Sequence, residues 1–250
     1  MNLVEYQRTV LRVCFDVEAS PSDLESLGGS AVWTDVYRPM VRRRLRNMAK
    51  TAYGRALGEV GDAGFDASFS RFLVERPPAS GLIREVIAAY GTFAQADTEL
   101  LSGTAPHVAE LFAFEQAKWE IGYVPGHYPA VGEQGVRDFD FQGEVVLNPT
   151  LRLLHFRHNV QTPAADGGCV AGETRLLVYR PPEVDAARWF AVDHFPAVLF
   201  ERWLGGAPAV ADGIRAAATA SGRAVDESLL GELSNVLTLA VQRGVVIGAR

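Results

Sequence analysis

Apolar residues recur every three or four positions up to residue 121, and beyond residue 135 the period shortens. A chain with such a break cannot form one uniform fold: its first part asks for packed helices and its second part for strands followed by helices. Before the break, Leu3, Tyr6, Val10 and Val13 form one stripe expected to be buried. Thr34 or Asp35 is expected to open a helix with the stripe Tyr37, Val41, Leu45, Met48 and Ala52, Pro39 being tolerated in its first turn. Phe65, Phe69, Phe72 and Leu73 mark a further helix, stopped by Pro77-Pro78. Leu82, Val86, Ala89 and Phe93 mark another, with Ser80 as its cap. A last one runs from about Pro106 to Ile121 and is expected to bury Val108, Leu111, Phe112 and Trp119.

Residues 122–135 hold four glycines and two prolines, the composition of a linker or long loop. Beyond them, Val145–Leu147, Leu151–Val160, Thr174–Arg180 and Arg188–Val192 have the β-branched and aliphatic content of strands. Three helices are expected next, at about 194–204, 209–220 and 226–243, with Asp193 and Asp226 as caps and Gly205-Gly206, Ser221-Gly222 and Gly244 as stops. Val245-Val246-Ile247 reads as a closing strand. The fold expected is therefore α+β. An all-helical domain covers 1–121, a linker 122–135, and a winged-helix-like module 136–250. That module is a shape used for both DNA and peptides. In a peptide-binding version, an extended ligand adds to the edge of the sheet and packs against a neighbouring helix.

The net charge of −6 is shared evenly between the two halves. It argues against a chain that coats nucleic acid, which needs a basic surface. The two cysteines, Cys14 and Cys169, form no CxxC pair, so reduced thiols in a cytoplasmic protein are expected rather than a disulfide framework or a structural zinc site. The start Met1-Asn2-Leu3-Val4-Glu5 lacks a basic stretch followed by an apolar one, and no run of apolar residues is long enough for a membrane span.

Few residues carry chemistry. The run Arg42, Arg43, Arg44, Arg46 falls on the flanks and outer face of its helix. It reads as solvated surface, as a docking site for an acidic partner or, least in keeping with the acidic total, as a nucleic-acid contact. His155 and His158 lie three apart on a presumed strand, where side chains alternate, so they are not expected to share a metal ion. Either of them can instead meet a partner from the sheet surface. Glu115 sits between Phe112 and Trp119 on an apolar face. A carboxylate there needs a partner, which is expected to be an arginine of another helix; a role as catalytic acid or base is the alternative. No GxSxG elbow, GxxxxGK[ST] loop or GxGxxG after a strand occurs.

Several segments together resemble a known family. Val36-Tyr37-Arg38-Pro39-Met40-Val41, Leu57-Gly58-Glu59-Val60-Gly61 with Phe65, and Phe72-Leu73 through Pro77-Pro78-Ala79-Ser80 are similar to the N-terminal helical domain of HvfC/BufC-type proteins, which often carry a DNA-binding label. Leu111-Phe112-Ala113-Phe114-Glu115-Gln116-Ala117 is similar to the helix that follows. Arg157-His158-Asn159-Val160, Leu176-Leu177-Val178-Tyr179-Arg180 and Arg243-Gly244-Val245-Val246 resemble the family's C-terminal domain. The resemblance implies a partner subunit of a multinuclear non-haem iron-dependent oxidase (MNIO), a TIM-barrel enzyme that modifies ribosomally made peptides at cysteines. It implies that the iron belongs to the barrel, with no catalytic residue, metal or cofactor in this chain. It further implies a helical domain that docks the enzyme, for which Arg42, Arg43 and Arg46 are the candidates. The C-terminal module is then expected to hold the precursor peptide's leader along a sheet edge, either Thr174–Arg180 or Leu151–Val160, with Arg157, His158, Tyr179 and Arg180 as contacts. The alternative is a DNA-binding regulator using the second or third C-terminal helix. The outer positions of the third helix, Glu227, Glu232, Asn235, Thr238 and Gln242, are poor phosphate ligands.

Overall fold

The computed structural model describes residues 2–15, 19–124, 128–129, 132–133, 136, 138, 140–164, 168–206 and 209–250. Helix makes up 58% and strand 12%, and the strands all follow the first seven helices, so the fold is α+β. The chain forms two compact units, Met1–Trp119 and Glu120–Arg250.

The helical unit contains α1 (Leu3–Phe15), α2 (Pro21–Ser26), α3 (Arg38–Ala52), α4 (Gly54–Glu75), α5 (Ile83–Ala96), α6 (Thr98–Leu101) and most of α7 (His107–Tyr123). A π-helical turn, Trp33–Tyr37, leads into α3. Ser20 and Asp23 form a reciprocal capping box that starts α2, and Arg12 of α1 holds Asp23 at 2.6 Å. Gly61 interrupts α4 at φ +71°, a conformation that costs glycine nothing for want of a Cβ. The Phe65, Phe69, Phe72 and Leu73 stripe is buried as its spacing requires.

The α5 stripe lies elsewhere than the spacing suggests. Its buried face is Val86, Ile87, Tyr90, Gly91 and Ala94, while Leu82 and Ala89 are exposed. Tyr90 decides the rotation. It is wholly buried, with the rings of Phe69, Phe65, Phe72 and Tyr53 at 5.0, 5.2, 5.5 and 5.7 Å and Phe112 at 6.3 Å. Edge-on packing of this kind stabilises beyond the area it buries. Leu3 and Tyr6 of α1, expected to be buried, are exposed, and only the C-terminal half of α1 reaches the core through Val13, Cys14 and Phe15.

Asp97 ties three helices of this unit together. It caps α6 through the N–H groups of Glu99 and Leu100, and accepts from Ser68 Oγ at 2.6 Å and Arg71 Nη2 at 2.7 Å. Burial alone raises its pKa, but the bonds from Ser68, Leu100 and Arg71 outweigh burial and hold the carboxyl below the usual range. A group with a depressed folded-state pKa adds stability above its ordinary pKa and loses it as pH falls through the folded value. Asp97→Asn is therefore expected to cost about 2 kcal/mol at pH 7. The gap from wild type should close as pH falls through the carboxylate range, read by urea unfolding at each pH. A gap that stays constant with pH would show that the charge of Asp97 is not what holds these helices.

The second unit contains β1 (Val145–Leu147), β2 (Arg152–His158), β3 (Ala171–Tyr179), β4 (Arg188–Ala191), α8 (His194–Leu204), α9 (Val210–Ala220), α10 (Glu227–Gln242) and β5 (Val246–Ala249). β2, β3 and β4 form an antiparallel meander in that order, and β1 pairs separately with β5. One face of the meander, with Leu177, Tyr179 and Phe190, joins Phe200, Trp203, Ile214, Leu233 and Leu237 of the three helices in a single core. Of the two expected caps, Asp226 accepts from the Leu229 N–H and Asp193 makes no side-chain cap. Buried Asn148 fastens the sheets together: its amide donates to Arg180 O and Gly244 O at 3.0 and 2.9 Å, and its oxygen accepts from Thr150. The loop at 165–168 lies largely outside the described residues.

Candidate functional site

The site begins with the order of the strands. β3 pairs with β2 on one side, Leu177 opposite Leu153, and with β4 on the other, Leu177 opposite Phe190. Thr174–Arg180 is thus the central strand and offers no edge, which removes one of the two expected docking strands. β2 and β4 are the outer strands. β2 presents exposed His155 and Arg157 and half-buried His158. Across from them lie Arg175 and Glu173, themselves paired at 2.7 Å. Together with Phe156 and Thr174 they line a shallow cavity of about 210 Å³. The pairing shifts between Phe156 and His158, where β3 carries one residue more than β2, and along β2 itself exposed His155 and Arg157 alternate with buried Phe156. Chemically this is an outer strand with guanidinium groups beside it, able to offer backbone hydrogen bonds and positive charge to an extended, carboxylate-bearing segment.

Two expected contacts have other tasks. Tyr179 is 3% exposed, lies edge-on to Phe190 at 6.3 Å and belongs to the core, where burial pushes its phenol up. It cannot reach a peptide. Its alternation places it on the helix-covered face, which no local pattern in Leu176–Arg180 reveals. Arg180 donates to Gly122 O and Val124 O, both at 2.7 Å, and to Tyr128 Oη at 2.9 Å. Its guanidinium therefore anchors part of the glycine- and proline-rich stretch rather than a ligand.

The arginine run also divides. Arg42 donates to Cys14 O and Phe15 O at 3.1 and 3.0 Å, and Arg38 to Val13 O at 2.6 Å. The two cations satisfy the last carbonyls of α1, where the helix dipole favours positive charge. Arg46 pairs with Asp66, and Lys50 with Asp62 and Asp66. Arg42 and Arg46 are thus occupied within the unit, a correction to their role as docking residues. The sequence pattern could not reveal that the end of α1 abuts α3. Arg43 and Arg44 remain exposed, with no partner among the described residues.

Glu115 is 5% exposed, and its partner is not an arginine side chain as expected. Its oxygens accept from the backbone N–H groups of Ala56 at 3.1 Å and Arg55 at 3.3 Å, so α7 caps the start of α4. Burial pushes its pKa up despite those bonds and the nearby charges of Lys118 and Arg55. Such a group is a helix cap, which places it in the frame of the unit. Cys14 is buried, which raises its thiol, and Cys169 is half-buried.

Sequence reasoning missed one feature. Phe141 and the α10 residues Leu230, Leu233, Leu237 and Val241 line an apolar groove of about 500 Å³. Phe141, Leu230 and Val241 are each more than 40% exposed. The spacing of Leu230, Leu237 and Val241 was the available signal, obscured by the polar residues between them. The expected outer positions of α10, Glu227, Glu232, Asn235, Thr238 and Gln242, are all exposed. Glu232 is paired with Arg223 at 2.8 Å. Among the described residues no three His, Cys, Asp or Glu side chains converge as ligands for an ion, and no helix is long and apolar enough to cross a membrane. Comparison with known protein families and with curated proteins gives no match.

Proposed function

We propose that this chain is a non-catalytic partner protein that brings a ribosomally made precursor peptide to an MNIO enzyme. The barrel enzyme supplies the iron and the chemistry at the peptide's cysteines. The helical unit docks the enzyme, with Arg43 as the contact left from the three arginines once Arg42 and Arg46 are set aside. The second unit takes the leader as an added strand on the outer side of β2, beside Arg157 and His158. The observation that carries this reading is the position of β2 as an outer strand with Arg157 exposed upon it. Strand addition draws its affinity from main-chain hydrogen bonds, and flanking side chains select the sequence. The family resemblance of the segments from Val36 to Val246 supports it independently. Holding both partners at once raises the local concentration of peptide at the enzyme, which accelerates turnover without any reactive group in this chain.

The test is binding of the fluorescein-labelled leader of the precursor encoded beside the enzyme, followed by anisotropy. Arg157→Glu is expected to weaken binding about tenfold through charge reversal at the edge. Tyr179→Phe should leave it unchanged, because that ring is buried. An unchanged affinity for Arg157→Glu would contradict the β2 edge as the leader's seat.

A further inference from the structure

The helical unit carries an apolar groove beside arginines that have no partner among the described residues. Val10 and Leu11 of α1, Val41 of α3 and Ile83 of α5 line a cavity of about 430 Å³. A second cavity of about 490 Å³ is lined by α3 residues that include Arg43. Met40 and Arg44 line both cavities, which together give a trough along α3. Met40, at its middle, is 53% exposed. Val10 also belongs to the stripe of α1 whose Leu3 (70% exposed) and Tyr6 lie at the surface. A soluble helix that leaves such a stripe uncovered marks an interaction surface.

The charges select what covers it. Of the basic residues on α3, Arg38 and Arg42 hold the end of α1, and Arg46 and Lys50 hold Asp62 and Asp66. Arg43 and Arg44 alone on α3 have no partner among the described residues, and adjacent like charges gain from an added anion. A polyanion such as nucleic acid fits poorly, since the floor is apolar and the chain carries a net charge of −6. An amphipathic helix fits both features, its apolar face on the floor and its flanking Asp or Glu on the guanidiniums.

We infer that the trough between α1, α3 and α5 docks an acidic amphipathic helix of another protein, with Met40 as the apolar contact and Arg43 and Arg44 as the clamp. This rests on the docking role proposed above for the helical unit and deepens it by naming the chemistry of what docks. The probe is a fluorescein-labelled amphipathic peptide of about five turns with Glu flanking a Leu face, compared with a twin that has Lys in place of Glu. Titrated with the full chain, the Glu peptide should bind at least about tenfold more tightly than the Lys twin, and less tightly as salt rises. Arg43→Glu/Arg44→Glu should invert the preference, and Met40→Asp should weaken both peptides. Equal binding of the two peptides, no binding of either, or a double variant that keeps the wild-type preference would each overturn the inference. A concentration-dependent dimer abolished by Met40→Asp, seen by light scattering, would assign the trough to a second copy and overturn it as well. Co-purification with the barrel enzyme is read separately. If the Glu peptide binds as expected and the enzyme does not co-purify, the trough's chemistry stands and the enzyme-docking reading falls. If the enzyme co-purifies equally with the wild type and the double variant, docking stands and the trough does not carry it.

Discussion

Tyr90→Ala is expected to remove about 4 kcal/mol from the helical unit, a large share of what holds a unit of this size together. Five aromatic rings surround Tyr90, each at most 2% exposed and held in the packed core, so the space it leaves is not readily filled. The cost therefore combines lost burial with an unfilled cavity. Gly91 beside it sets the opposite limit. A Cβ there would stand 2.1 Å from Tyr53 Oη, on a ring that is wholly buried and donates to Ile87 O at 2.8 Å. Guanidinium unfolding followed at Trp33 and Trp119 reads the Tyr90→Ala loss. A change below about 1 kcal/mol would place the centre of this core elsewhere.

The second large effect belongs to the strand-bearing unit. Gly213 of α9 faces Trp203 of α8 so closely that an added Cβ would lie 2.1 Å from the indole Nε1 and 2.6 Å from Cδ1. Trp203 is 4% exposed and stands edge-on to Phe200 at 5.3 Å, so the indole cannot swing away without opening the core. Gly213→Ala is expected to cost about 3 kcal/mol by overpacking, although alanine is the better helix former. Gly231 of α10 is the control. Its added Cβ meets nothing within 4 Å, so Gly231→Ala should be neutral or stabilise by up to about 1 kcal/mol. A red-shifted Trp203 emission with lowered unfolding midpoint in Gly213→Ala, absent in Gly231→Ala, is the expected pattern. Equal midpoints in the two variants would contradict the α8–α9 contact.

The sequence carried its local signals faithfully. The four strands overlap the stretches that composition marks, with β3 starting three residues earlier at Ala171, and the helices at His194, Val210 and Glu227 stop at or just before Gly205, Ser221 and Gly244. What eluded it is non-local. The order β2-β3-β4 is set by which strands pair, and nothing within Thr174–Arg180 itself says that this strand is central. Arg42 and Arg46 look like surface because their partners, the end of α1 and Asp66, lie about twenty to thirty residues away. Glu115 was legible as a buried carboxylate, yet its partner proved to be backbone amides, which no side-chain pattern can indicate. The α1 stripe misled in the other direction: its period is helical, but Leu3 and Tyr6 in its first half are exposed. Short helices such as α2 and α6 are too brief to show a period at all.

The central claim is that this chain assists a reaction whose reactive centre lies in another subunit. Its most direct measurement is the single-turnover rate of precursor-cysteine modification by the iron-loaded barrel enzyme, with and without this chain, followed by mass spectrometry. The account predicts a rate that rises saturably with added chain and falls back with Arg157→Glu. A barrel enzyme that modifies the peptide equally fast alone, or a purified chain that modifies it with no barrel present, would contradict it.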